Sequence, residues 1–327
     1  MVDVLRGIGV GLLAAFVAVA PASAVTEGPA NGARPMGMGG AFTAIADDAN
    51  APLYNPAGMA ATDGIKMAFT RAAFFSGITD PLVSQDVAHV VFGAGANGFA
   101  AGVTSLADGG GVYRETVVSA GYARRIGDSL RLGLLLKRLG AGLDEANPDV
   151  AQNPYFADGT SVSAMSADVG ALLSPTPGLT VGAAVQNVAP ADMTFRPDDG
   201  EGAEDVDEAS PAVRVGVAYD LSSVAGSAEQ AALADILRRS VIAADVLIGS
   251  GTSGFGVGAE IGVSQSLAAR VGYRTAAGYG ESVGALTFGG SLGLNTGSGA
   301  VHIDFAADIA GGDLRDNMTQ RVSLRGA

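Results

Sequence analysis

A chain of 327 residues with 33 acidic and 19 basic side chains carries a formal charge of −14, and it holds 49 glycines, two histidines, no cysteine and no tryptophan. The missing cysteine excludes a disulfide framework and a thiol nucleophile. No cluster of bases stands out, which excludes nucleic acid as a partner, because binding phosphates requires one.

The chain opens with a short polar stretch bearing Arg6, an apolar run from Gly7 to Ala20, and Pro21-Ala22-Ser23-Ala24. That order of base, apolar run and small-x-small site reads as a signal peptide over 1–24, with a mature chain starting at Val25. A transmembrane anchor is the competing reading, but the run is shorter than the ~20 residues a spanning helix needs. No later apolar run reaches about 18 residues either, so the chain is not a helical membrane protein.

Residues 25–62 form a separate segment, rich in glycine and poor in charge. It contains Gly32, Ala33, Arg34, Gly37, Met38, Gly39, Gly40 and Phe42, then Asp47, Asp48 and Asn50, then Asn55, Pro56, Ala57 and Gly58. A Gly-rich start, a short helix near 40–49 and an Asn-Pro turn are the local expectation. As an exposed linker the segment is oddly apolar; inside a barrel it would serve as a plug or hatch.

From residue 63 to 327 one strand pattern follows another. Phe255, Val257, Ala259, Ile261 and Val263 alternate with Gly256, Gly258, Glu260 and Gly262. Val301, Ile303, Phe305, Ala307 and Ile309 alternate with His302, Asp304, Ala306 and Asp308. Period two with one apolar face is the mark of a strand with two unlike sides. About fourteen such segments occur: 64–74, 86–94, 97–106, 112–123, 129–142, 161–173, 178–189, 211–220, 239–248, 253–263, 266–274, 281–294, 299–309 and 317–325. An even number of strands near ten residues long, most joined by short turns, predicts an all-β transmembrane antiparallel barrel rather than a soluble sandwich.

Loop length orients the barrel. The acidic segments 143–160 and 190–210 carry net charges of −4 and −7, so eleven of the fourteen excess charges sit there. Both follow odd-numbered strands, which places them outside the cell if the first strand rises from the periplasm. One inner connection, 221–238, reads as a helix packed beneath the barrel, with Ser227 and Gln230 at capping-box spacing and Arg238 and Arg239 at its end.

The polar strand face carries Arg214, Asp220, Asp245, Glu260, Arg270, Arg274, His302, Asp304 and Asp308. Both signs on one face suit a lumen whose charges pair with each other and with a plug. Arg34 is expected to meet Asp304 or Glu260, and Asp47 and Asp48 to meet Arg270 or Arg274. The apolar residues Met36, Met38, Phe42, Ile45, Leu53 and Tyr54 are expected in part to line a ligand pocket.

The motif order Gly32-Ala33-Arg34, Gly37 to Phe42, Asp47 to Asn50 and Asn55 to Gly58 resembles the N-terminal motif of FadL-like outer-membrane proteins, particularly the PorV/PorQ branch. Two strands add to it, Arg-Val-Gly-Val-Ala-Tyr at 214–219 and Ala-Ala-Arg-Val-Gly-Tyr at 268–273. The resemblance implies a fourteen-stranded outer-membrane barrel with an N-terminal hatch. For transporters of the family it implies small hydrophobic molecules as cargo. For the PorV-like branch it implies docking of exported proteins in type IX secretion.

Chemical motifs are thin. Gly249 to Gly254 fits G-x-G-x-x-G, but a strand follows where a dinucleotide site requires a helix. His302 shares a face with Asp304, yet no serine stands where it could complete a triad. The run Asp198 to Glu208 offers oxygens for calcium without the ordered spacing of an EF-hand loop. Neither enzyme activity, a cofactor nor a metal site is expected; outer-membrane lipid and a hydrophobic ligand or exported protein are the expected partners.

Overall fold

The computed structural model describes residues 32–76, 83–153, 156, 159–195, 208–249, 253–278, 281–296, 299–310 and 318–326. The expected signal peptide, the expected cleavage point before Val25 and most of the acidic run 198–208 lie outside the described residues.

Fourteen strands close into one antiparallel ring. The first seven are β1 (Gly64–Ser76), β2 (Val83–Ala94), β3 (Asn97–Ala107), β4 (Tyr113–Ile126), β5 (Leu130–Leu143), β6 (Ser161–Thr176) and β7 (Leu179–Gln186). A two-residue pair, β8 (Ala191–Asp192) with β9 (Glu208–Ala209), stands apart from the ring. The ring resumes with β10 (Ala212–Asp220), β11 (Val241–Gly249), β12 (Ser253–Gly262), β13 (Leu267–Gly278), β14 (Glu281–Thr296), β15 (Gly299–Ala310) and β16 (Met318–Gly326). Each strand pairs with its ring neighbours in sequence, and β1 closes on β16 from Met67↔Gly326 to Ser76↔Met318. Closure leaves no edge strand exposed.

Alternation sets the two faces. Along β12, Phe255, Val257 and Ile261 point outward and are 45%, 44% and 40% exposed, while Gly256, Gly258 and Gly262 are buried. The outward rows of β14 and β16 repeat this with Leu286, Phe288, Leu292, Val322 and Leu324. A continuous belt of large, half-exposed apolar side chains around a closed ring is a lipid-facing surface; a soluble sandwich would bury it. Phe92, Phe99 and Tyr122 stand side by side in register near the short-turn end, and Phe255 beside Tyr273 nearer the other, so aromatics flank the belt despite the absence of tryptophan.

Most described connections at one end are brief, 95–96, 127–129, 177–178 and 263–266, with 221–240 the long one there. Those at the other include 144–160 and 187–211. Gly95, Gly127 and Gly178 hold φ of 64°, 62° and 82°, which tight turns demand and side-chain-bearing residues resist.

Strand ends shift in places, β2 starting at 83 rather than 86, β6 ending at 176 rather than 173 and β13 at 278 rather than 274, and three expected elements differ with an identifiable cause. No helix forms over 40–49. Instead α1 (Ala33–Gly37) and α2 (Ala51–Tyr54) flank an irregular stretch, followed by a 310 turn at Pro56–Ala61. The positive φ of Gly39, Gly40 and Ala46 interrupts helical geometry there, and backbone amides bond to the barrel wall instead. The connection 221–240 is a 310 turn (Leu221–Ser227) and a short helix, Ala231–Leu237, which touches β12. Its capping box does not form: the Ser227 hydroxyl donates to the Val224 carbonyl, and Gln230 makes no side-chain cap. The third difference is β7, which ends at Gln186 rather than 189. Asn187 has φ 51°, and its amide donates to Asp168, turning the chain away from the wall.

Candidate functional site

Residues 32–62 lie inside the ring. Helix α1 rests on β13 to β16, and the 310 turn 56–61 rests on β2 to β6. Close approach is possible because the inward rows carry glycine. A Cβ at Gly258 would sit 2.3 Å from the Met38 carbonyl oxygen, and one at Gly133 would sit 2.3 Å from the carbonyl carbon of Pro56.

A segment buried against strands cannot satisfy its backbone with water, so the wall must supply partners. The Asp245 Oδ2 accepts from the amides of Phe42 (3.0 Å) and Thr43 (2.8 Å). Thr287 Oγ1 accepts from the Gly39 amide at 2.9 Å and lies 3.2 Å from the Gly37 carbonyl, to which it donates. Ser323 Oγ accepts from the Ala33 amide at 2.9 Å. Asn55 Nδ2 donates both to the Thr43 carbonyl (3.0 Å) and to the Ala171 carbonyl of β6 (2.9 Å), while its Oδ1 accepts from Ala57.

The charged groups form a closed cycle. Arg34 donates from Nε and Nη2 to the two Glu260 carboxylate oxygens, each at 2.9 Å, and from Nη1 to Asp48 at 3.0 Å and Asp47 at 2.5 Å. Glu260 also accepts from Arg270 at 2.5 Å, and Arg270 reaches Asp304 at 2.8 Å. Arg325 grips Asp304 at 2.5 and 2.9 Å and returns to Asp48 at 3.2 Å. Asp48, Arg34, Glu260, Arg270, Asp304 and Arg325 thus alternate in sign around a ring. Two members come from the luminal segment and four from β12, β13, β15 and β16. Burial alone would raise the Asp48 carboxyl, but Arg34 and Arg325 outweigh it and hold the group below the usual carboxylate range. Its second oxygen accepts from the Asn50 amide at 2.8 Å and from the Asn50 side chain at 3.0 Å.

Of the expected pairings, Arg34 meets Glu260 and not Asp304. Asp47 and Asp48 meet Arg34, and Asp48 also meets Arg325; neither pairs with Arg270 or Arg274. Arg274 is committed at 2.6 Å to Asp308, which also receives Arg321. Arg214 donates to Gln186 at 3.0 Å and lies over the Tyr54 ring. His302 is not paired with Asp304, whose oxygens the two arginines take; its Nδ1 lies 3.5 Å from Ser291. Asp220 does not line the lumen: it ends β10 and accepts from the Ser222 amide. The strands flanking the glycine motif at 249–254 pair as a hairpin, Ile248 against Ser253, with no following helix. Arg321, Ser323, Arg325 and Thr287 were not among the expected partners. Period two along 317–325 puts Arg321, Ser323 and Arg325 on one face and was the available signal; Thr287 is flanked on its face by Ala285, Gly289, Ser291 and Gly293, which offered none.

Apolar residues of the segment pack among themselves and against the wall. Phe42 and Tyr54 meet edge to face at 5.4 Å between centroids, with Ala46, Ala51, Ile45 and Leu53 around them. Met38 packs with Ala218 and Ala243, and Met36 with Ala306. They do not line the cavity of about 320 Å³ beside the segment, which Arg34, Asp47, Lys66, Glu260, His302 and Arg325 surround at the short-turn end. A second apolar group lies toward the long-loop end. Leu139 and Ala141 of β5 pack inward with Ala191, Met193 and Ala209, joined by Tyr113, Val117, Val162, Ala164 and Phe195.

The cycle makes Arg34 the hub between segment and wall. Arg34→Ala is expected to loosen residues 32–62 by about 3 kcal/mol, since it leaves buried carboxylates short of a partner. Limited proteolysis in detergent should cut the segment faster while β1–β16 stay resistant; an unchanged cleavage rate would remove Arg34 from this role.

The geometry defines a transmembrane β-barrel of the outer-membrane type whose lumen is occupied by its own N-terminal segment. No protein-family model matches the sequence, and no curated protein matches it. Solved structures do. The CymD monoaromatic hydrocarbon channel is 13% identical over 90% of this chain and 96% of its own, with a TM-score of 0.62. The Pseudomonas putida toluene transporter TodX is 14% identical over 93% and 98%, with a TM-score of 0.58. A Pseudomonas aeruginosa FadL homologue is 11% identical over 91% and 98%, with a TM-score of 0.56. At these identities the likeness is one of fold, and the fold is FadL-like.

Proposed function

We propose that this barrel is an outer-membrane channel for small hydrophobic molecules, gated by residues 32–62. The observation that carries the reading is the unlike chemistry along the lumen. An inward apolar group around Leu139, Met193 and Phe195 stands toward the long-loop end, and the segment below it is held to the wall by ion pairs and hydrogen bonds. A water-filled pore has no use for an apolar mouth, whereas a route for apolar cargo does. Contacts that are polar and specific can exchange partners as the segment moves, which an apolar core would resist. The fold shared with channels for toluene and monoaromatic hydrocarbons agrees with this cargo class.

Deleting 32–60 should raise conductance in a planar bilayer, and long-chain amphiphiles or monoaromatic hydrocarbons should bind the intact protein but not the deletion. The motif at 32–58 also supports a second reading, a PorV/PorQ-like barrel that docks exported proteins in type IX secretion. A deletion that conducts no better, with no hydrophobic ligand bound by either form, would favour that reading. It predicts binding of an exported domain that is lost when 190–210 is removed.

A further inference from the structure

The outer wall of β4, β5 and β6 departs from the apolar belt in one place. Outward rows run in register across these strands. Ala120, Leu136 and Ala167 make one row, and Val118, Arg138 and Met165 the next toward the long-loop end. Above it come Thr116, Gly140 and Ser163, then Arg114, Gly142 and Ser161. Val118 and Met165 are 52% and 62% exposed and belong to the lipid-facing belt, so Arg138 stands at its upper border. Above Arg138 the wall sinks. Gly140 and Gly142 have no side chain, and a Cβ at either would meet nothing closer than a backbone oxygen in ordinary van der Waals contact at 3.7 Å, so the wall is recessed there without being overlaid by a neighbour. The result is a hollow of about 480 Å³ with Arg138 and Arg114 on its walls and the hydroxyls of Thr116, Ser161 and Ser163 around it.

Both guanidiniums are exposed and mostly uncommitted. Arg138 donates once, to Ser163 Oγ at 3.2 Å. Arg114 makes no hydrogen bond or ion pair among the described residues. The acid at the rim, Asp144, turns one oxygen to the Ala146 amide and so is partly engaged in its own loop. Arginine on a lipid-facing row is unfavourable toward the membrane centre and tolerable near the interface, where phosphates are within reach. Guanidinium is also the side chain whose fork matches a phosphate.

We propose that this hollow binds a phosphorylated sugar headgroup of an outer-leaflet glycolipid such as lipid A, with Arg114 and Arg138 on its phosphate and the hydroxyls on its sugar. A free phosphate ion would account for the two arginines but not for a hollow of this size placed directly on the acyl border. The proposal rests on the orientation in which the long connections face outward, and it is independent of what the lumen carries.

The test uses the purified full-length barrel in detergent micelles, titrated with bisphosphorylated lipid A and followed by native mass spectrometry. Arg114→Gln with Arg138→Gln should weaken binding by about tenfold or more, as expected for losing charge-assisted bonds to a phosphate. Heat-modifiable migration checks that the variant is folded, since both side chains lie outside the packed lumen. Excess inorganic phosphate should fail to displace lipid A from the unaltered protein. Equal affinity of the variant, or displacement by inorganic phosphate, would overturn the proposal. A preference for phosphatidylglycerol over lipid A would overturn it too, and would point to an inverted orientation, whereas loss of hydrophobic transport alone leaves this result unaffected.

Discussion

Asp304→Ala is expected to cost the folded barrel about 3 kcal/mol or more, the range for breaking a buried pair and stranding its partners. Asp304 is fully buried and accepts three charge-assisted hydrogen bonds, one from Arg270 and two from Arg325. Arg270 is itself buried and would keep only Glu260 and the Gly290 carbonyl. Arg325 would keep Asp48 and pull on the segment through it. The exposed pair Arg71–Asp86 is the internal control. Its side chains are 62% and 40% exposed at 3.0 Å, so Asp86→Ala should cost less than about 1 kcal/mol. Urea titration in micelles, followed by tyrosine fluorescence and heat-modifiable migration, compares the two. Variants within about 1 kcal/mol of each other would show that the cycle contributes little beyond an ordinary surface pair.

Gly258→Val acts on the other half of the lumen, by shape. Its Cβ would stand 2.3 Å from the Met38 carbonyl oxygen, and the same stretch of segment lies 2.4 Å from where a Cβ on Gly272 would be. Backbone cannot rotate aside as a side-chain tip can. Valine is well suited to a strand, so the barrel should persist while the segment is driven off the wall. Overpacking of this kind costs about 1–3 kcal/mol, which translates into a rise of roughly five- to 150-fold in cleavage of residues 32–62. Bilayer conductance should rise with it. Gly290→Val is the matched control, because Gly290 faces outward and its nearest neighbour to a Cβ is 3.6 Å away. Equal conductance and equal cleavage for the two variants would mean that residues 36–40 do not depend on the glycine face.

These expectations separate what can be read locally from what cannot. Alternation over 255–263 or 301–309 is a property of neighbouring residues, because successive side chains of a strand leave on opposite faces whatever the strand pairs with. The number of strands, their order and the apolar outer row were therefore legible from the chain alone, while several strand ends, such as those of β7 and β13, were not. So was the attraction between Arg34 and Glu260, as one of two options.

Partner choice was not legible. Which acid meets which base depends on the register of strands far apart in sequence, and closing β16 onto β1 is what carries Arg325 to Asp48, 277 positions earlier. The helix expected near 40–49 failed for a related reason. In isolation its alanines favour helix, but inside the ring the amides of Phe42 and Thr43 have a buried carboxylate, Asp245, within reach. Local propensity amounts to a few tenths of a kcal/mol per residue, while an unsatisfied buried amide costs roughly 1–3 kcal/mol. The amino-acid sequence by itself thus determined the barrel, its two faces and the residues available to its lumen. Only the tertiary structure decided the path of residues 32–62 and the six-membered charge cycle, because both arise from contacts that exist once the ring has closed.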